Sequence, residues 1–381
     1  MGEPSFSVGI EEEYFLVGRQ TRDVVSAPTS DLVAECQALL GEGQVSPELL
    51  RSQIEVQTCV CHDMHQARAE LARARAGVAE VTARHGLAVI AASTHPFASW
   101  DQQIPTDKAR YTTIARDLQA PGRRLVICGM HVHVAVEDDE LRMDLMNQAA
   151  YFLPHLLALS TSSPFWRGQD TGMKSYRVSI FREIPRTGLP ETFESWGEYA
   201  RRVRELVGAG LIEDPTKLWW DVRPSHRFPT LEMRVTDICT RLDHAIAIAA
   251  LWRCLLRMLW RLRRENLRWR LYPRMLIEEN RWRAQRYGID EGLVDFGKER
   301  VVPYAELLDE LIALVAEDSR HFGCEAEVES ARDILVHGTS AHEQLQVFAQ
   351  ARSEGAHEHE ALAAVVDCLI ERTIEGVWRP G

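Results

Sequence analysis

The stretch SVGIEEEYFL, residues 7–16, sets three consecutive glutamates inside an apolar, β-branched and aromatic run. Such a run favours a β-strand, although glutamate itself is depleted from strands. Because alternate strand residues point to the same face, Glu11 and Glu13 share one face with Gly9, which leaves room there, and Glu12 points to the other. The two carboxylates either face water on a one-sided sheet or point inward. If they point inward they require a cation, and a divalent metal ion is the usual one.

Three further strand-like segments also carry side chains that can bind metals. Each has a structural explanation of its own: a charge on an edge strand, a hydrogen-bonded core histidine, or a surface ion pair. Four such strands in one chain instead indicate a shared site of several carboxylates and one imidazole, which suits Mg²⁺ or Mn²⁺. The residues concerned are Glu48 and Glu55, then His131 and His133, then Glu232 and Arg234.

Composition narrows the class of protein. The chain has 381 residues, 45% of them hydrophobic, which is ample for a large core. The net charge of −12 argues against a nucleic-acid-binding protein. Arginines interrupt the most apolar helical run, residues 245–262, so we expect no membrane span. The first residues do not resemble a signal peptide, and the eight cysteines are scattered. We therefore expect a cytoplasmic protein.

The order of strand and helix patterns predicts an α+β fold with a large, mainly antiparallel sheet. We expect one catalytic domain spanning residues 1–381, with 241–381 mostly helical and a loop-rich centre at about 162–190. The predicted strands are 6–17, 54–60, 87–94, 124–136, 217–224 and 229–238. The predicted helices are one capped by Ser30 or Asp31 that ends near Leu40, one at 65–86, and one capped by Asp138 or Asp139 that reaches about Leu159.

The sequence contains neither a GxxxxGK[ST] nor a GxGxxG motif. If a nucleotide binds, metal ions and arginines must therefore hold its phosphates. Arg234 lies two residues from Glu232 on the same strand face, where it could contact a phosphate oxygen.

Several longer stretches resemble one known family. GIEEEYFLV, GMHVHV, SSPFWRGQDTGMKSYR, WWDVRPSHRFPTLEMRVTD and ENRWRAQRYG are similar to the motifs of the type 2 glutamate–cysteine ligases, a family of carboxylate–amine ligases. The resemblance runs from about residue 6 to residue 375. It implies a fold shared with glutamine synthetase, in which the concave face of a curved antiparallel sheet carries metal ions and the phosphates of ATP.

The resemblance also implies roles for individual residues. One metal ion would bridge the β- and γ-phosphates of ATP, and a second would lie nearer the substrate carboxylate. Arginines would contact the transferred phosphate, a substrate carboxylate and ATP. The implied ligands are Glu11, His131 and Glu232 for the first ion, and Glu13, Glu48 and Glu55 for the second. The implied arginines are Arg234 for the phosphate, Arg177 for the carboxylate, and Arg281 or Arg283 for ATP.

The implied reaction joins a carboxylate, by resemblance the γ-carboxylate of glutamate, to an amine at the expense of ATP. An acyl phosphate would form first, and cysteine or another amine would then attack it. Loops at about 162–190, with Trp166, Arg167 and Asp170, could cover the site against water. We expect small-molecule substrates and a homodimer.

Three other interpretations compete with this one. CVCHDMH, residues 59–65, could form a zinc site, although four ligands so close together rarely surround one ion. The HxH strand is also found in metal-dependent amidohydrolases, but these require a (βα)₈ barrel. The arginine- and tryptophan-rich residues 251–286 could bind nucleic acid. Arginine greatly outnumbers lysine throughout this chain, however, and an ordinary amphipathic helix explains Arg253, Arg257 and Arg261.

Overall fold

A seven-stranded antiparallel sheet organises the computed structural model of the chain, which describes residues 2–29 and 31–377. Its strand order is β10-β11-β5-β1-β3-β2, and β4 pairs with the far end of β1. The strands are β1 Val8–Gly18, β2 Val45–Pro47, β3 Gln53–Gln57, β4 Leu87–Ile90, β5 Met130–Ala135, β6 Phe165–Trp166, β7 Gln169–Asp170, β8 Thr187–Gly188, β9 Trp219–Trp220, β10 Val222–Pro224, β11 Thr230–Met233, β12 Leu293–Asp295 and β13 Arg300–Val302.

Helices surround this sheet and form most of the C-terminal part. The α-helices are α1 Leu32–Leu40, α2 Met64–Arg84, α3 Ala109–Arg123, α4 Asp139–Ala149, α5 Leu153–Ser160, α6 Tyr176–Phe181, α7 Trp196–Gly208, α8 Leu242–Arg264, α9 Arg274–Tyr287, α10 Tyr304–Leu314, α11 Ala316–Phe322, α12 Glu325–Glu329, α13 Ala331–His337, α14 Ser340–Ser353 and α15 Glu358–Ile374. The α+β architecture with an antiparallel sheet is thus as the sequence predicts.

Strand β1 pairs with three neighbours and has two different faces. Val8, Ile10, Glu12 and Tyr14 are almost fully buried, whereas the residues between them are partly exposed. The strong alternation predicted from the sequence is therefore present in the structure, and Glu11 points with Glu13 away from the core.

Glu12 faces the core, where it is fully buried against α2. Its carboxylate accepts hydrogen bonds from Arg75 at 2.6 and 2.9 Å and also from the hydroxyl of Tyr14. Arg75 further donates to the carbonyl oxygens of Cys239 and Thr240 at 2.8 and 2.6 Å. A buried ion pair with this many hydrogen bonds fixes β1 to α2 and to the chain before α8.

The arginine-rich helix α8 lies inside the molecule rather than at its surface. Arg253 donates to the carbonyl oxygens of Phe6 and His62, and Arg257 pairs with the fully buried Asp318. The expectation of a simple amphipathic helix is therefore wrong, because buried partners satisfy these arginines. They are also inaccessible to a nucleic acid.

Several element boundaries differ from those predicted. Regular pairing of the strand predicted at 124–136 is confined to β5, because the preceding residues form only isolated bridges. The helix predicted to reach Leu159 breaks into α4, a short 3₁₀ segment and α5, which has Pro154 in its first turn. Helices α3, α6 and α7 were not predicted. Asp31 precedes α1, but its alternative cap, Ser30, lies outside the described residues.

Within residues 2–29 and 31–377, none of the helices combines the length and apolarity needed to span a bilayer. The single domain spanning 1–381 stays a prediction.

Candidate active site

A cavity of about 520 Å³ lies on the face of the sheet that bears Glu11 and Glu13. Its floor comes from β1, β3, β5 and β11, and its walls come from α3, α6 and the loop that joins β10 to β11. The strand register determines which side chains meet there, because residues on paired strands face each other directly.

The first group of possible metal ligands spans three strands. On β5, His131 lies opposite Glu11, and His133 lies opposite both Gly9 of β1 and Glu232 of β11. Glu11, His133 and Glu232 each offer an atom within 4.8 Å of the others'. The set implied by the resemblance contains His131 in place of His133. Both histidines line the cavity, and His131 Nδ1 lies 3.1 Å from Glu11 Oε2.

The second group contains carboxylates only. Glu13 of β1 lies opposite Glu55 of β3, and Glu48 reaches the same point from the residue after β2. Carboxylate oxygens of the three lie within 4.8 Å of one another. In the sequence, only the spacing to Glu55 supported Glu48 as a metal ligand. The fold brings Glu48 next to Glu13 and Glu55.

The two groups differ in their electrostatics. Burial raises the pKa of Glu13 to about 8, and the charge of Glu48 adds to this shift. Burial and then Glu48 likewise raise the pKa of Glu55. Burial opposes ionisation of Glu11 too, but the adjacent imidazoles of His131 and His133 keep its pKa below the usual value. The charges of Arg177 and Arg234 act in the opposite direction on Glu13 but do not outweigh its burial.

Both groups fit divalent metal ions. Three carboxylates that converge on one point are the oxygen-rich donor set of Mg²⁺ or Mn²⁺. In the first group, the Nε2 atoms of His131 and His133 are buried, and neither has a hydrogen-bond partner among the described residues. Burial lowers the pKa of His131 to about 4, which leaves a neutral imidazole, the form that binds metals.

Two arginines flank Glu232. Arg223 binds it through two hydrogen bonds, at 2.9 and 3.1 Å, and also donates to two backbone carbonyls, so its guanidinium is fully engaged. Arg234 donates to Glu232 through one nitrogen, and its buried Nε has no partner among the described residues. Burial opposes ionisation of Glu232, but the two arginines keep its pKa low. Arg234 is therefore the freer of the two to contact a phosphate.

Arg177, at the start of α6, lies at the Glu13 end of the cavity. It is 4% exposed, its Nε has no partner in the described chain, and burial lowers its pKa. Its guanidinium occupies the space beside Gly129, where an added Cβ would lie 2.3 Å from Nη2. The amide of Gly129 donates to Glu13 at 2.7 Å. Gly129 thus adjoins both the guanidinium of Arg177 and the carboxylate of Glu13.

A buried aspartate fixes the segment that carries Arg177. Asp237 accepts hydrogen bonds from the hydroxyls of Ser163 and Ser175 at 2.7 and 2.8 Å, and from the amide of Ser162 at 2.9 Å. Ser163 in turn accepts from the amide of Arg177 at 3.1 Å. Asp237 therefore links the chain after β11 to the start of α6.

The structure does not bring the other two predicted arginines to the cavity. Arg281 is buried in an ion pair with Asp221, at 2.5 and 3.1 Å. The carbonyl of Asp221 accepts from the amide of Arg234 at 2.8 Å, so Arg281 supports the backbone at that position. Arg283 donates to the carbonyls of Glu291 and Gly292. Neither guanidinium lines the cavity.

The predicted cover at 162–190 is only partly at the cavity. Arg177, Phe181 and Ile184 line it, whereas Trp166, Arg167 and Asp170 do not. The guanidinium of Arg167 lies over the ring of Trp100 instead. The unpredicted helix α3 supplies another part of the wall through Tyr111 and Ile114.

The competing interpretations do not match the fold. The cysteines and histidines of residues 59–65 form no metal-binding group within the described chain, and Cys61 is buried while Cys59, His62 and His65 are exposed. The HxH strand belongs to an antiparallel sheet rather than to a parallel barrel.

Comparison with known proteins identifies the family. A sequence model described as glutamate–cysteine ligase family 2 matches residues 7–367. A Rhodospirillum rubrum protein, provisionally named glutamate–cysteine ligase 2, is 61% identical over 377 residues, which cover 98% of this chain and 97% of that protein. The chain belongs to glutamate–cysteine ligase family 2. A Ruegeria pomeroyi protein of the same provisional name is 52% identical over 369 residues, covering 97% of this chain and 95% of that one.

Solved structures agree with this family assignment. The fold is similar to that of a glutamate–cysteine ligase from Francisella tularensis in complex with AMP, with a TM-score of 0.68, 13% identity, and coverage of 97% of this chain and 89% of that one. It is also similar to that of a bifunctional glutathione synthetase from Pasteurella multocida, with a TM-score of 0.67, 15% identity and 97% coverage of this chain, which spans 53% of that protein. At such identities the likeness shows the fold alone.

Membership of glutamate–cysteine ligase family 2 confirms the resemblance seen in the sequence. The chain is an ATP-dependent ligase that forms a C–N bond between a carboxylate and an amine. The family is one of ligases rather than of amidohydrolases or non-enzymatic binding proteins.

Sequence reasoning left His133 out of the implied ligand set and missed Arg223. His133 carried a signal, because it is two residues from His131 on one strand face. No sequence pattern indicates Arg223, because its contact with Glu232 depends on the pairing of β10 with β11.

Proposed function

We propose that the cavity activates a carboxylate, the γ-carboxylate of glutamate in the first instance, as an acyl phosphate that an amine then attacks. Two adjacent groups of metal-binding side chains on one sheet face, each with an arginine beside it, are the observation that carries this proposal. Glu11, His133 and Glu232 would hold one divalent ion, Mg²⁺ or Mn²⁺, with His131 close by. Glu13, Glu48 and Glu55 would hold the second. When bound, these ions neutralise charge on the phosphate oxygens of ATP.

The side chains of the protein then orient the reactants. Arg234, whose Nε has no partner among the described residues, binds the γ-phosphate, while Arg223 holds Glu232 between the two guanidinium groups. Arg177 binds a substrate carboxylate at the Glu13 end. The substrate carboxylate forms a bond to the γ-phosphorus, and the bond from that phosphorus to the bridging oxygen of ADP breaks.

The second step requires no nucleophile from the protein. The amine nitrogen forms a bond to the acyl carbon, phosphate leaves with the electron pair of the C–O bond, and the nitrogen releases a proton. Water would hydrolyse the acyl phosphate, so the site must exclude it. The apolar side chains of Ile114, Ile127 and Ile184 in the cavity wall support such exclusion.

Trapping by hydroxylamine tests this proposal. The purified protein is incubated with ATP, Mg²⁺ and hydroxylamine, and a panel of carboxylic acids is added one at a time. Hydroxylamine replaces the unknown amine, so an acyl phosphate is expected to yield a hydroxamate and one ADP per hydroxamate. Reactions without Mg²⁺ or without acid are the controls. Failure of every acid to give hydroxamate or ADP, with ATP and Mg²⁺ shown to bind, would refute carboxylate activation.

The expected homodimer and cytoplasmic location stay predictions. Sedimentation equilibrium gives the oligomeric state directly, and a single species of 43.3 kDa would contradict the dimer.

A further inference from the structure

Beside Arg177, two rows of side chains form an apolar part of the cavity wall, and the space along them is called the slot. One row is Arg177, Phe181 and Ile184, which follow one another at helical spacing on α6 and its last turn. The other row is Gly129 and the alternate residues before it, Ile127 and Leu125. Phe181, Ile184, Ile127 and Leu125 all line the cavity, together with Ile114 of α3.

The two rows are joined at both ends. At the inner end, the guanidinium of Arg177 fills the space beside Gly129. At the outer end, Arg124 donates to Glu183 at 2.6 Å, and these residues adjoin Leu125 and Ile184 respectively. Ile184 follows Arg177 by seven positions, and α6 ends between them at Phe181.

Of the side chains that form the two rows, Arg177 is charged and the others are apolar. The guanidinium of Arg177 lies 5.6 Å from the ring centre of Phe181, and its Nε has no partner in the described chain. Leu125, Ile127 and Ile184 are 8%, 8% and 3% exposed and offer no polar side-chain atom. The basic residues Lys108 and Arg110 also line the cavity, but both are exposed to solvent.

Such a slot disfavours a polar substituent, because a buried polar group without a partner loses its hydration. Apolar walls with one charged group at the end are typical of sites that bind an apolar body and orient it by one polar contact. The apolar walls complement neither the thiol of cysteine nor the ammonium group of glutamate.

We infer that one of the two organic substrates carries an aliphatic or aromatic group next to a carboxylate, with the carboxylate on Arg177 and the apolar group between Phe181, Ile184 and Ile127. This inference rests on the proposed ligase function. Two sources have this chemistry: an apolar carboxylic acid that is activated, or an apolar α-amino acid that serves as the amine.

Two assays separate the sources. The first measures hydroxamate formation with hydroxylamine from glutamate, glutarate, 4-methylpentanoate and 3-phenylpropionate. The second measures ADP release with glutamate as the acid and cysteine, serine, leucine or phenylalanine as the amine. A preference for the apolar compound is expected in one assay, on the order of tenfold or more.

Variants of Phe181 test the slot itself. Phe181→Ala is expected to reduce kcat/KM for the preferred apolar substrate on the order of tenfold relative to the smallest polar one. Phe181→Trp should shift the preference toward smaller groups. Phe228→Ala is the matched control, since Phe228 lines the same cavity near His133, and it should leave the selectivity ratio unchanged.

Calorimetric titration with 3-phenylpropionate and glutarate gives a second readout that needs no turnover. If 3-phenylpropionate binds more tightly than glutarate and Phe181→Ala weakens this binding, the slot is supported. If no ADP forms in any of the assays as well, the ligase proposal is refuted. The slot would be refuted if wild type and Phe181→Ala showed equal selectivity and both turned over cysteine or serine best. The ligase proposal would then still stand.

Discussion

Glu12 and Glu13 are neighbours in the chain, yet they meet opposite surroundings. Glu12 is neutralised by Arg75 in the core, whereas Glu13 faces Glu48 and Glu55 in the cavity. Replacing each glutamate by glutamine should therefore have different effects on the free energy of unfolding. The two single variants can be compared directly.

Glu13→Gln should remove one of the two proposed Mg²⁺ sites and abolish Mg²⁺-dependent ATP turnover, while the free energy of unfolding stays the same or rises because like charges are removed. Glu12→Gln should lower the free energy of unfolding by about 3–5 kcal/mol, because Arg75 loses its buried counter-charge. Urea unfolding and calorimetric titration with Mg²⁺ measure the two effects. Unchanged Mg²⁺ binding in Glu13→Gln would contradict the metal assignment.

Individual residues also show which features of the site could be predicted from the sequence. The alternation of Ile10, Glu11 and Glu12 depends only on local backbone geometry, so their faces could be predicted. The choice between His131 and His133 depends on the register of β5 with β11, which no local pattern encodes.

At the scale of elements, Arg177 depends on two segments that are far apart in sequence. Asp237 holds Ser163 and Ser175, and Ser163 holds the amide of Arg177. Asp237→Asn should therefore raise the KM for the acid about tenfold while the KM for ATP stays the same, because Arg177 moves but the phosphate end of the site does not.

A double-mutant cycle shows whether Asp237 acts through Arg177. In the background of Arg177→Ala, Asp237→Asn should have no further effect on the KM for the acid. Asp318→Asn is the matched control, because Asp318 is a buried aspartate that pairs with Arg257 and Arg261 away from the cavity. It should lower stability and leave this KM unchanged. Additive effects in the cycle would mean that Asp237 is only structural.

Element length determined which parts of the fold could be predicted. Long periodic elements such as β1 and α2 bury one face, so their patterns identify them. Helix α6 has only six residues and depends on contacts from Asp237. Helix α3 contains Pro121 and an interruption at Gln119, which obscure its pattern. Both supply cavity wall, so the least predictable elements are those that shape the slot.

At the scale of the whole molecule, the C-terminal helices are built into the core behind the sheet. The carbonyl of Thr373 in α15 accepts a hydrogen bond from Arg75 at 3.3 Å, and its hydroxyl accepts from the amide of Ala91 at 2.9 Å. The side-chain amide of Gln344 in α14 donates to the carbonyl of Ser162 at 2.9 Å. Residues 241–381 and the rest of the chain thus share buried contacts within the described structure.

We therefore expect the chain to unfold in one cooperative transition. Differential scanning calorimetry should give a van't Hoff enthalpy equal to the calorimetric one, and tryptophan fluorescence should change at the same temperature. A chain truncated before α15 should lose this transition, because Arg75 and the back of β4 would be uncovered. Two separate transitions in the full chain would contradict the prediction of a single domain.

Strand β1 also constrains how the gene for such a chain can change. One face of the strand serves the cavity and the other serves the core, so substitutions at single positions have local effects. Adding or removing one codon between Gly9 and Tyr14 would instead exchange the faces of every residue beyond it. Removal of one codon before Glu13, for example, would turn Glu13 toward Arg75 and bring Tyr14 into the group with Glu48 and Glu55. Single substitutions in this segment can therefore be selected independently, whereas we expect insertions and deletions of one residue to be lost.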